Sequence, residues 1–157
     1  MAGPASKSLP LQSLFDRFIQ PYGPSTTQEQ AERQLQEVVR RDVEWLLNTR
    51  RIPDEVPAHF KEVRKSVYLW GLPDLTSFAV RSRPDRMRLQ RLLQEAISTM
   101  EPRLTDVRVI VEDSMDQTYA IRFTISATLV APPCVDKVSF NTVVDLSTGN
   151  CRVEGGR

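Results

Sequence analysis

The sequence predicts an α+β domain, with N-terminal helices packed on one face of a small C-terminal antiparallel sheet of three to four strands. Two observations carry this. Apolar residues recur at helical spacing up to Met100 and at every second position beyond Leu104. Helices first and strands after place all helices on one side of a sheet, since the connections leave no alternating βαβ units. A third observation bounds the size: 157 residues, 40% apolar and 26% charged, suffice for a single core.

The elements follow in order. Residues 1–27 read as a flexible tail with a short amphipathic helix, because Leu11, Leu14, Phe15, Phe18 and Ile19 share one helical face and Pro21-Tyr22-Gly23-Pro24 breaks it. Residues 28–157 form the single α+β domain. Thr27 and Gln30 have capping-box spacing ahead of a helix that runs to about Asn48. Leu35, Val38, Val39, Val43, Leu46 and Leu47 form its apolar face, while Glu29, Arg33, Glu37, Arg40, Arg41 and Glu44 form a flank expected to be solvated. Phe60, Val63 and Val67 suggest a shorter helix or turn. Gly71-Leu72-Pro73-Asp74 reads as a turn, with Asp74 capping a helical piece to about Phe78.

The helix from Pro84 to Met100 has the clearest pattern, a stripe of Leu89, Leu92, Leu93, Ala96, Ile97 and Met100. The period then becomes two. Val107, Val109 and Val111 alternate, as do Tyr119 to Leu129 and Val138 to Leu146, and Ser147-Thr148-Gly149-Asn150 turns into a short strand around Cys151 and Val153. Such alternation gives each strand one apolar face.

Composition excludes several classes of function. A net charge of +1 argues against a dedicated polyanion surface. No apolar stretch reaches the roughly 20 residues of a membrane span, and no charged start leads into a secretory apolar run. A cytoplasmic protein without membrane insertion is therefore expected. Cys134 and Cys151 lack disulfide-framework or zinc spacing, so both read as reduced thiols. His59, the only histidine, has no nucleophile signature around it and reads as a surface residue. Glu112, Asp113 and Asp116 lack the glycine and distal glutamate of a calcium loop and fit a polar hairpin turn. No catalytic residue, metal site or cofactor is expected.

Two basic features stay open. Only four of the 21 basic residues are lysines (Lys7, Lys61, Lys65, Lys137), which suits bidentate interface pairs but follows equally from codon usage. Arg81, Arg83, Arg86, Arg88 and Arg91 stand against one acid, Asp85. Without interleaved aromatics they fit an acidic protein partner better than nucleic acid, and a solvated helix start equally well.

Glu101-Pro102-Arg103 is chemically odd. Pro102 disfavours helix at Glu101, which places that carboxylate at the negative end of a helix dipole. Arg103 could neutralise it within the chain or against a partner. As an exposed local pair it would contribute about 0–1 kcal/mol.

Four collinear segments carry a resemblance. Ile97 to Leu104 resembles the I-x-x-(F/M)-E-P-R-L signature of TssE, a type VI secretion baseplate subunit of the lysozyme-like wedge family of contractile phage tails. Leu14 to Phe18 resembles its L-(F/L)-D-R-L segment, Arg41 to Arg50 its R-D-(L/I)-x-x-L-L-N-T-R segment, and Ser66 to Leu75 its S-(V/L)-x-x-(Y/F)-G-(L/I)-P-D-(L/F) segment. Met100 and Trp70 stand where Phe and Tyr are commoner.

The resemblance implies a structural wedge subunit, not an enzyme, in the cytoplasm near the inner membrane. It implies binding to TssF and TssG and a docking point where the TssB–TssC sheath starts to polymerise by strand addition at an open sheet edge. By the same resemblance Glu101, Pro102 and Arg103 contact partners, and Gly71, Pro73 and Asp74 are structural. Leu14, Phe15 and Phe18 are candidate partner contacts. Arg103→Glu is then expected to abolish partner binding and leave the isolated domain's melting temperature unchanged.

Two rivals are weighed against this reading. A lysozyme-like hydrolase of peptidoglycan needs one carboxyl with a raised pKa, and Arg103 beside Glu101 favours the opposite. An arginine-rich binding module for an acidic partner remains the alternative from a different class.

Overall fold

The computed structural model describes residue 18 and residues 27–53, 55–75, 82–112, 120–132, 134–145 and 147–156. Helix α1 (Gln28–Asn48) begins where Thr27 Oγ1 accepts the amide N–H of Gln30 at 3.3 Å, satisfying one of the orphan donors of the first turn. A one-turn helix α2 (Lys61–Arg64) and a 3₁₀ turn (Val67–Leu69) lead to Leu72, and helix α3 (Arg83–Met100) starts with Pro84 in its first turn. Strands β1 (Leu104–Val111), β2 (Ala120–Ala131), β3 (Cys134–Asp145) and β4 (Cys151–Gly156) form an antiparallel meander in sequence order.

Both long helices cover the same sheet face, α3 chiefly along β1 and α1 chiefly along β4. The alternating positions Ile121, Phe123, Ile125, Ala127 and Leu129 of β2 all point into the core, with Val39, Val43, Leu93 and Ile97 above them fully enclosed. Burying each such side chain contributes about 1.5–3 kcal/mol, so the shared core is the main stabilising term. Thr142 also points inward, and its Oγ1 is buried without a hydrogen-bond partner among the described residues. The opposite face shows Arg108, Ile110, Arg122, Asn141 and Arg152 to solvent. Among the described residues no helix is long and apolar enough to cross a membrane.

Two local features depart from simple periodicity. Leu104 and Val107 are both buried although three positions apart, because the β1–β2 register shifts between Thr105 and Arg108. Asp106 takes φ 52° at this bulge, a left-handed conformation that Asp tolerates better than most residues. The flank of α1 that was expected to be solvated is instead partly buried from Arg40 to Glu44. Arg40 Nη1 reaches across to the Val153 carbonyl at 2.6 Å and to Glu44 Oε2 at 2.7 Å, so this part of the flank lies on β4 instead of facing water.

That contact belongs to a larger arrangement. The bonded Asp145–Asn150 pair sets an alternation that directs the amide and carbonyl of Cys151 outward, to the free side of β4. Asn48 meets both, its Oδ1 accepting the Cys151 N–H at 2.8 Å and its Nδ2 donating to the Cys151 carbonyl at 2.8 Å. One side-chain amide thus acts as a strand neighbour. Arg50 Nη2 donates to the Gly149 carbonyl at 3.0 Å in the turn before.

The segment after α2 is held by backbone pairing with the end of α1. Leu72 N–H donates to Thr49 O at 2.8 Å, and Arg51 N–H donates to Leu72 O at 2.9 Å, with Leu72 fully buried. Gly71 permits this approach. Its φ is +110°, and a Cβ there would lie 2.5 Å from the Thr49 carbonyl oxygen. Gly71→Ala should therefore destabilise the domain by roughly 2–4 kcal/mol, from left-handed strain plus the backbone collision. Thermal unfolding followed by circular dichroism should show a fall of about 5–15 °C. An unchanged melting temperature would mean that the close approach does not contribute to stability.

Candidate partner-docking site

Helix α3 ends at Met100, and the amide N–H of the capping residue Glu101 still donates to Ile97 O at 2.9 Å. The chain then turns sharply: Leu104 N–H donates to Glu101 O at 3.1 Å, and Pro102 sits exposed at the corner. The last turn of α3 carries no basic residue to balance its negative end. The Glu101 carboxylate there is nevertheless only 7% exposed. A buried carboxylate at that end of a helix is doubly unfavourable unless it is paired.

Arg103 supplies the pairing. Its Nε donates to Glu101 Oε1 at 2.7 Å and its Nη2 to Oε2 at 2.6 Å, a two-pronged ion pair, while its backbone N–H adds a bond to Oε1 at 3.2 Å. Nη2 also donates to Asp42 Oδ2 at 2.7 Å on α1. The hydrogen bond to Glu101 comes first, against the cost of burial, in raising the Arg103 pKa above its usual value, and Asp42 adds to it. Arg41 reaches the other Asp42 oxygen at 3.3 Å, and its guanidinium lies 4.8 Å from the centroid of the Trp45 ring. Arg103 Nη1 makes no hydrogen bond among the described residues.

The pair that the sequence left open is thus satisfied inside the chain. It joins the end of α3, the start of β1 and the middle of α1. Beside it lies a notch of about 200 Å³ lined by Asp42, Trp45, Leu46, Trp70, Met100 and Glu101. Trp45 is 45% exposed and Trp70 half-buried. Tryptophan at the notch, with the partly exposed Arg41 and Arg103 beside it, provides the residue types that dominate protein–protein binding energy.

The other sequence-selected residues lie elsewhere. Gly71, Pro73 and Asp74 belong to the segment pinned to Thr49, one residue from Trp70, and the helical piece expected after Asp74 lies outside the described residues. Phe18 is 86% exposed, whereas Leu14 and Phe15 lie outside the described residues, as do Asp113 and Asp116. His59 is exposed and stacks on Phe60 at 4.1 Å between ring centroids. Among the described residues no three His, Cys, Asp or Glu side chains gather to hold a metal ion. The reading of single residues missed Asp42 and Trp45 as part of the site. The useful pointer was that both tryptophans fall in segments already singled out by their motifs.

Comparison with known proteins adds the following. A family model described as baseplate wedge protein gp25 matches residues 33–133. A chain from a structure entitled "The baseplate complex from the type VI secretion system" is 18% identical to this one, covers 80% of it and 98% of itself, and has a TM-score of 0.49. Among curated protein sequences none matches.

The geometry revises one expectation. Arg103→Glu would leave Glu101 and Asp42 without their shared cation and add a third carboxylate beside them. Breaking a fully buried pair costs about 3–5 kcal/mol, and the partial exposure of Arg103 reduces this to roughly 2–3 kcal/mol. The isolated domain should therefore melt about 5–10 °C lower, not unchanged. Arg103→Lys should show a smaller loss, since one ammonium cannot span both Glu101 oxygens and Asp42. Equal melting temperatures for all three proteins would show that the pairing contributes nothing to the fold.

Proposed function

The chain belongs to the baseplate wedge protein gp25 family, and on that premise we propose that it is the TssE-like structural subunit of a type VI secretion baseplate wedge. The observation that carries this reading is the coincidence of the family's matched region with the Glu101–Arg103–Asp42 corner and its two-tryptophan notch. In this reading the corner docks on TssF and TssG. The internal pairing holds the Arg103 guanidinium, Arg41 lies against the Trp45 ring and Trp70 packs on the core, so a partner meets a surface whose ordering cost is already partly met. Arg103 Nη1 is the donor left for it.

The role proposed for the sheet is to start the TssB–TssC sheath by strand addition, and the hydrogen bonding favours one edge. On β4, Asn48 and Arg40 occupy the outward groups at Cys151 and the carbonyl of Val153. On β1, the bonded Glu112–Arg122 pair sets an alternation in which the amides and carbonyls of Val109 and Val111 face away from β2. Among the described residues no hydrogen bond reaches them. Strand addition is therefore assigned to β1.

A wedge subunit works in the cytoplasm at the membrane-facing end of the sheath and needs no catalysis. The hydrolase alternative would use Glu101 as a general acid, yet both its oxygens already accept bonds from Arg103. Affinity purification of the chain from its native cell should bring down TssF and TssG together, at constant ratio through a sizing column. Recovery of the chain free of both, from cells that are assembling sheaths, would contradict the proposal.

A further inference from the structure

A groove of about 700 Å³ lies between the helical segment 61–69 and helix α3. Six cations line it: Arg51, Lys61, Arg64, Lys65, Arg88 and Arg91, against two carboxylates, Glu62 and Glu95. All six are exposed. Among the described residues only Arg88 has an acidic neighbour within ion-pair range, Asp85 at 3.8 Å. The floor is apolar, made by Leu69, Pro73, Leu92, Ala96 and Met100. Leu92, Ala96 and Met100 stand one turn apart on α3 and form a greasy strip along its axis. Cations that repel one another beside an apolar strip are an unfavourable surface for an isolated domain, and an occupant of matching shape and opposite charge would relieve it.

We infer that this groove is a docking site for an acidic amphipathic helix of a protein partner. Such a helix lays its apolar face on Leu92, Ala96 and Met100 and its carboxylates between the two banks of cations. The chain's own segments do not supply it: residues 1–26 carry Asp16 against Lys7 and Arg17, residues 76–81 carry Arg81 and no acid, and residues 113–119, with Asp113 and Asp116, are only seven residues, too few for a helix with leucines at i, i+4 and i+7. Nucleic acid fits less well. Among the described residues the groove presents no aromatic ring for base stacking, and Glu62 and Glu95 would face phosphates. The inference does not depend on the role proposed for the Glu101 corner.

The test uses the full chain and a fluorescent synthetic peptide with leucines at i, i+4 and i+7 and glutamates on its other faces, followed by anisotropy at physiological salt. The peptide should bind, and binding should weaken with added salt as exposed charges are screened. The triple variant Lys61→Glu, Arg64→Glu, Arg91→Glu should lose at least about tenfold in affinity, from several rim charges reversed at once. Arg108→Glu with Arg122→Glu, on the opposite sheet face, should leave binding unchanged. All five positions are exposed, so both variants should keep the wild-type melting temperature. Equal binding of a peptide with the same residues in scrambled order would overturn the inference, because charge alone would then suffice. Tighter binding of a single-stranded DNA oligomer of the same net charge, or no effect of the triple variant, would overturn it as well.

Discussion

The carboxylate of Glu101 is the constraint around which the rest of this domain is arranged. It is buried at the negative end of a long helix, a position that would be untenable without a cation held tightly against it. Pro102 forces the turn that brings Arg103 back onto it, and the same turn launches β1 directly from α3. Because Arg103 also binds Asp42, the junction fixes where α1 lies over the sheet. One ionic cluster therefore ties together two helices and a strand. Hydrophobic burial supplies most of the stability, yet burial alone would tolerate several positions of α1 over the sheet. The ion cluster at one edge of the sheet and the Asn48 and Arg40 bonds to β4 at the other select one of them.

The two edges of the sheet are treated differently, and helix α1 is the reason. Asn48 and Arg40 project from α1 onto β4 and bond the outward amide and carbonyl of Cys151 and the carbonyl of Val153, groups that an incoming strand would use. The β1 edge receives no such cover among the described residues. An open edge is a liability in a free-standing protein, since it invites unwanted pairing. In the role proposed for this chain, starting a sheath, an edge open on one side only would give the polymer one direction in which to grow. The Asn48-Thr49-Arg50 segment matters for this reason more than for any chemistry of its own: Asn48 covers the edge, Thr49 receives Leu72, and Arg50 holds the Gly149 turn.

Much of this was legible in the sequence, because periodicity reports burial and burial dominates the fold. The stripe through Leu89, Leu93 and Ile97 and the alternation from Ile121 to Leu129 each mapped onto the observed core. The antiparallel sheet of three to four strands followed from three alternating runs and one turn, and the structure supplied the order of its four strands. What escaped was set by contacts between residues distant in sequence. Nothing local in Arg40 or Asn48 announces a partner on β4, so the charged flank read as solvated. The bulge at Asp106 was visible only as the three-residue gap between Leu104 and Val107. For Glu101 and Arg103 the local pair could be proposed, but its burial and its link to Asp42 required the third dimension. The tryptophan notch escaped likewise, since Trp45 and Trp70 come together only when α1 and the Gly71 segment pair through Thr49 and Leu72.

The central claim is that the Glu101 corner and its tryptophan notch form the face that docks on the wedge core. Backbone hydrogen exchange, compared between the free chain and the chain bound to purified TssF and TssG, tests it most directly. The account predicts new protection concentrated at residues 42–46, at residue 70 and at residues 100–103, with the outward face of the sheet exchanging as before. Unchanged exchange at these residues, with protection gained only elsewhere in a bound complex, would contradict it.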